Sequence, residues 1–273
     1  MRVFLEEKNE IDFFKNGFAK FQLLDANEVE NIKNFYQEEI ANYQNISGKG
    51  GFHTTSNTHN VLLVNKVDEF LKQHLIHKLK NHFVNCTYTI CNYLVKEADQ
   101  NSEVTPHQDW LLVDETKFTS FNIWICLDEA NEKSGCLKII PRSQQLNFSH
   151  RAEDIPRFFD PFKENITPYF VNIPTKPGEC IVLNHSIIHG SVKNISGKKR
   201  ISCVVGAYES AAELFFFKPS KNLNKILKYK ISPNTFLSMG ENYLPIKGVK
   251  SIEEVDLELD IWSFEKFKQK MSM

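Results

Sequence analysis

Two textures of apolar spacing divide the chain. Over the first 83 residues the spacing is mostly helical. Residues 9–16 read as a short helix closed by Gly17, and residues 18–23 as a strand. Asp25-Ala26-Asn27-Glu28 has the form of a capping box, in which Asp25 and Glu28 satisfy each other's free backbone amides. Val29, Ile32, Phe35, Tyr36 and Ile40 follow at the three-to-four-residue intervals of one helix face. A Gly-rich turn at 47–51 leads into His53, Thr54 and Thr55, which read as an exposed loop or part of a pocket wall or lid. A second long helix is expected over 67–81.

From residue 84 the period shortens. Apolar runs at 86–95, 103–113, 119–128, 135–141, 167–173, 179–184, 187–193 and 200–208 are separated by turn residues. Short strands so closely spaced predict a mainly β fold with flanking helices, built on a sandwich, jelly roll or barrel. An irregular insertion occupies 142–166. A mixed extension follows from 209 and ends in a helix expected from about 252 onward. No linker splits the chain, so one domain over 1–273 is expected: a helical part to 83, a β core over 84–208 and the extension.

Composition narrows the function. With a formal charge of −1, nothing draws the chain to nucleic acid or an anionic membrane by electrostatics alone. No apolar stretch approaches membrane-spanning length, and the N-terminus lacks the apolar core of a signal peptide. The six cysteines form no C-x-x-C pair, and several lie in apolar runs as buried thiols do. A reduced, cytoplasmic protein acting on a small molecule is expected. The 22 phenylalanines read as core packing.

The candidate chemistry starts at His107-Gln108-Asp109. In an extended segment residues i and i+2 face the same side, so an imidazole and a carboxylate stand together. That is the local half of a two-histidine, one-carboxylate iron site, and the third ligand must come from a distant strand. Two histidines, His185 and His189, qualify. Gly190 permits close backbone approach beside His189. Arg200 lies eleven residues beyond His189, across the turn at 194–197, and its planar fork suits the distal carboxylate of a dicarboxylate cosubstrate. These neighbours favour His189.

Taken as an ordered set, several motifs resemble the phytanoyl-CoA dioxygenase family of iron(II)/2-oxoglutarate oxygenases. They are His107-Gln108-Asp109-Trp110, the run 121–128, Ser134-Gly135-Cys136, Pro177-Gly178-Glu179, His189-Gly190-Ser191, Asn194 and Arg200. The resemblance covers about 85–208. It implies a double-stranded β-helix and Fe(2+) held by His107, Asp109 and His189. It also implies 2-oxoglutarate held by Arg200 with Ser191 beside it, Trp124 near the cosubstrate, and a further polar contact from Asn92 or Tyr93. The implied reaction consumes O2 and 2-oxoglutarate, releases succinate and CO2, and hydroxylates an unactivated C–H bond. Because the carboxylate Asp109 is present, hydroxylation is expected and halogenation is not. One departure concerns a turn: where the family commonly has Pro-Gly-Ser-His, this chain has Pro141-Arg142-Ser143-Gln144. Rival readings are a cupin-type metalloenzyme that uses no 2-oxoglutarate, a non-catalytic protein that kept the fold, and a zinc hydrolase.

Overall fold

The computed structural model describes residues 2–43, 48–49, 51–146, 150–152, 154–222, 224–238, 251–257 and 260–272. In chain order the elements are α1 (Glu7–Asn16), β1 (Phe18–Gln22), α2 (Ala26–Phe35), β2 (Gly48–Lys49), β3 (Phe52–Thr54) and α3 (Val61–Leu79). They continue with β4 (Cys86–Lys96), β5 (Val104–His107), β6 (Ser120–Cys126), β7 (Leu137–Ile139), β8 (Val171–Ile173) and β9 (Glu179–Asn184). The last are β10 (His189–Ser191), β11 (Arg200–Glu209), β12 (Leu214–Pro219), β13 (Lys225–Ile231), β14 (Glu253–Asp256) and α4 (Phe264–Met271).

A seven-stranded sheet, β1-β9-β6-β11-β4-β3-β2, faces a four-stranded sheet, β5-β10-β7-β8. Strand period explains how the two faces of the larger sheet part company. Phe121, Ile123 and Ile125 of β6 point outward with Cys180 and Val182 of β9 and Tyr93 and Val95 of β4. This outer face is covered by α3, whose Leu63, Val67, Leu71, Leu75 and Leu79 recur every four residues, with Val29 and Ile32 of α2 and Phe13 of α1. The alternate residues Trp124, Cys126, Ile181 and Leu183 point inward and meet Leu137 and Ile139 of the smaller sheet. Two facing antiparallel sheets with helices on one outer face make the double-stranded β-helix expected from the strand-rich pattern.

Several boundaries differ from expectation. Helix α1 ends as predicted at Gly17, with φ +84, and the Asp25–Glu28 capping box is formed in both directions. Helix α3 begins at Val61 rather than 67, because the Asn60 side chain caps the Leu63 amide. The run 103–113 is a strand only to His107. Beyond it the Asp109 and Leu111 amides donate to the loop carbonyls of His185 and Arg151 instead of to a ladder. The runs 135–141 and 187–193 shrink to β7 and β10, and residues 167–169 are a 3-10 turn before β8. The helix expected from 252 is a correction: Glu253–Asp256 pairs with β13, and helix α4 starts only after the Ser263 cap. His53 and Thr54 belong to β3. In the Gly-rich turn before them, Ser47 and Gly50 lie outside the described residues.

The extension forms its own sheet, β12-β13-β14. It packs behind the loop that follows β5, where Trp110 meets Phe216 edge-on at 5.3 Å and the Phe215 amide donates to Leu112. The insertion 142–166 is irregular, as expected. Its Phe158, Phe159, Phe162 and Ile166 form a separate apolar cluster with Trp262 and Phe267 from the C-terminal end.

Candidate metal centre and cosubstrate end

His107 closes β5 and His189 opens β10. The two strands are antiparallel neighbours and these residues are direct partners across the ladder. Gly190 permits that approach, since a Cβ there would lie 2.5 Å from the Val104 carbonyl oxygen. The imidazole centroids sit 4.2 Å apart. Asp109, two residues past His107, completes the group: Oδ1 lies 3.8 Å from His107 Nε2, and Oδ2 lies 3.9 Å from His189 Nε2. One donor atom from each residue falls within 4.8 Å of the others.

The surroundings fix which ring nitrogens face this point. His107 Nδ1 donates to the Thr105 carbonyl at 2.9 Å, and His189 Nδ1 to the Ile187 carbonyl at 3.1 Å. A carbonyl only accepts, so each Nδ1 carries a proton and each Nε2 is the nitrogen left to face the cluster. Asn122 Nδ2 donates to Asp109 Oδ2 at 2.9 Å and orients the carboxylate. Desolvation and the neighbouring His189 lower the His107 imidazole to about 4, which keeps it neutral at physiological pH. For Asp109, burial pushes upward, but His189, His185, His107 and the Asn122 amide outweigh it and the carboxyl ends below its usual range. Two imidazoles and one ionised carboxylate converging on one point suit iron(II).

A second polar group lies deeper between the sheets. Lys96 of β4 and Arg200 of β11 are partners across their ladder and share its inner face. Arg200 is 2% exposed. Its guanidinium lies 5.2 Å over the Trp124 ring, Nη1 donates to the Gly135 carbonyl, and Nε is buried without a partner. Ser191 Oγ accepts from Lys96 Nζ at 2.7 Å.

A cavity of about 560 Å³ opens from the metal-binding cluster. His107, Asp109 and His185 line it together with Asn92, Asn122 and Arg151. Arg151 Nε donates to the Asp109 carbonyl at 2.9 Å, while its Nη2 donates to Glu115 at 2.6 Å in a buried ion pair. The insertion thereby fixes the backbone of the carboxylate ligand candidate.

The phytanoyl-CoA dioxygenase family profile matches residues 8–202. The chain belongs to this family. Iron(II) and 2-oxoglutarate are the metal and cosubstrate typical of its members. Among curated relatives, phytanoyl-CoA dioxygenase 1 of Oryza sativa subsp. japonica is 32% identical over 113 residues, a match spanning 40% of this chain and 40% of that protein. The fold is similar to that of the α-ketoglutarate-dependent epimerase SnoN from nogalamycin biosynthesis. That similarity has a TM-score of 0.57 at 16% identity and covers 91% of this chain and 92% of SnoN. It is also similar to the carbocyclase SnoK from the same biosynthesis, with a TM-score of 0.55 at 17% identity, covering 77% of this chain and 86% of SnoK.

In this family member the structure brings His107, Asp109 and His189 together and leaves His185 outside the cluster. His185 lines the cavity, buried, with both ring nitrogens unpartnered. Arg200, Ser191 and Trp124 gather at the deeper end, and Asn92 lines the cavity, where its Oδ1 accepts from Thr54 Oγ1. Tyr93 faces the other way and donates its hydroxyl to the Ile32 carbonyl. Sequence reasoning missed Asn122, Arg151 and Lys96. Asn122 had a signal, a polar residue on the inward phase of strand 120–126. So did Lys96, which ends the apolar run 93–95 on the same phase as Asn92. Arg151 had none, because its place depends on the course of an irregular loop.

Proposed function

We propose that the chain, as one oxygenase domain over 1–273, is an iron(II)- and 2-oxoglutarate-dependent dioxygenase. It hydroxylates an unactivated C–H bond of a small metabolite, such as an amino acid or natural-product intermediate. The observation that carries this reading is the convergence of two histidine Nε2 atoms and one carboxylate beside a cavity, sized for a small molecule, that His107 and Asp109 line. His107, Asp109 and His189 hold the iron. Arg200, supported by Ser191 and stacked on Trp124, binds the distal carboxylate of 2-oxoglutarate, and Asn92 contributes a polar contact from the wall. When bound, iron with its cosubstrate supplies the O2-dependent oxidation that releases succinate and CO2. The chain's own part is to aim the two imidazoles through their backbone partners, to orient Asp109 through Asn122 and Arg151, and to keep the deeper end dry. The ionised Asp109, retained as a ligand, favours hydroxylation over halogenation. A cupin-type enzyme without 2-oxoglutarate would have no use for the buried, carboxylate-free Arg200.

Iron content and substrate-stimulated succinate release test the reading. Changing His107, Asp109 or His189 to Ala is expected to abolish both. Activity that survives His189→Ala but not His185→Ala would move the distal ligand to His185.

A further inference from the structure

The deeper end of the barrel holds two buried cations. Lys96 is 0% exposed, and its ammonium donates to two neutral oxygens, Ser191 Oγ at 2.7 Å and the Val192 carbonyl at 2.6 Å, with the Phe52 ring centroid 5.9 Å away. Arg200 stands opposite it across the ladder with a free Nε. Among the described residues no carboxylate lies within ion-pair distance of either. A buried charge without a counter-ion is costly by desolvation alone, and here two like charges lie side by side. Burial and the Arg200 guanidinium lower the Lys96 ammonium to about 7. The site is nonetheless built around the lysine. Gly135 has φ +88, and a Cβ there would lie 2.4 Å from Lys96 Cδ, so the turn leaves a track for the lysine stem. The same Gly135 offers its carbonyl to Arg200.

We propose that Lys96 is a second anchor for the distal carboxylate of the cosubstrate, acting with Arg200 and Ser191 to select a dicarboxylate 2-oxo acid over a monocarboxylate one. The inference rests on the 2-oxoglutarate reading above. An incoming carboxylate meets three donors: the remaining N–H of the Lys96 ammonium, the free Arg200 Nε and the Ser191 hydroxyl. It also neutralises a pair of charges that otherwise repel. The lysine reaches the site from β4, a strand that carries neither a candidate metal ligand nor the arginine, so cosubstrate binding ties β4 to β10 and β11.

The test measures binding of two probes to the iron-loaded protein without O2, by calorimetry. One is 2-oxoglutarate. The other is 2-oxopentanoate, which has the same length and lacks the distal carboxylate. Lys96→Met is expected to weaken 2-oxoglutarate about 10- to 100-fold, to leave 2-oxopentanoate within about twofold, and to retain iron. Lys96→Gln keeps donors towards Ser191 and Val192 without the charge, and should show the same selective loss. Equal losses for both probes, or loss of iron, would make Lys96 a structural strut and overturn the proposal. Unchanged 2-oxoglutarate binding in either variant would overturn it too. If the unaltered protein binds iron but not 2-oxoglutarate, the underlying functional reading fails instead.

Discussion

Arg142 stands where the family commonly has glycine, and its backbone shows the consequence. Its φ of +71 lies in the left-handed region, while its side chain points into water. The amide donates to the Asn16 carbonyl at 2.9 Å, so the turn is kept although the residue suited to it is gone. A non-glycine residue in this region costs about 1 kcal/mol. Arg142→Gly should therefore raise unfolding stability by up to about 1 kcal/mol in urea titration, less the entropy that glycine adds to the unfolded chain. Unaltered or lowered stability would mean that the exposed arginine contributes something its neighbours do not reveal. The residues nearest the candidate metal show the opposite economy: His107, Asp109 and His189 each have a partner that leaves one donor atom free.

Among the elements, what was legible in the sequence followed local period and capping. The strands 86–96, 120–126, 179–184 and 200–209 lie close to their apolar runs because both faces of the larger sheet are covered. The Asp25 box and the Gly17 stop are local chemistry and form as written. His107 and Asp109 were readable from spacing two, and His189 from Gly190 and Arg200 beside it. What could not be read depends on contacts distant in sequence. Residues 253–256 are a strand only because β13 lies alongside, and Arg151 reaches Asp109 only because the insertion folds over the loop after β5. Helix α4 is likewise defined by what it covers. Phe267 is fully buried, its ring tilted against that of Phe162 of the insertion with the centroids 5.6 Å apart. Truncating it to Ala should cost about 3–5 kcal/mol of stability while iron content stays unaltered. Loss of iron would show that the C-terminal helix supports the metal cluster through the insertion.

For the whole molecule, Lys96 links stability to pH. Its folded value of about 7 lies below that of an exposed lysine, lowered by burial, Arg200 and Lys138 and partly restored by Glu103 and Cys136. Between about 7 and 10 the unfolded chain therefore carries a proton that the folded chain releases. Raising the pH through that window favours the fold, by at most about 1.4 kcal/mol per pH unit. Thermal melts of the cosubstrate-free protein should rise with pH from about 7 upward, relative to Lys96→Met. Parallel pH profiles for the two proteins would refute the linkage. Saturating 2-oxoglutarate should flatten the difference by giving the ammonium its counter-charge.

The rung shared by His107 and His189 has a consequence for how the barrel breathes. These partners stand at the meeting of two very short strands, four and three residues long, whose amides would otherwise open first in hydrogen exchange. A single ion gripped by both rings and by Asp109 would cross-link that rung at its weakest point. Slippage by one residue would turn one imidazole away, so loading the ion and locking the ladder would be one event. Chelation would then register as faster deuterium uptake at the β5 and β10 amides, well before any helix loosens.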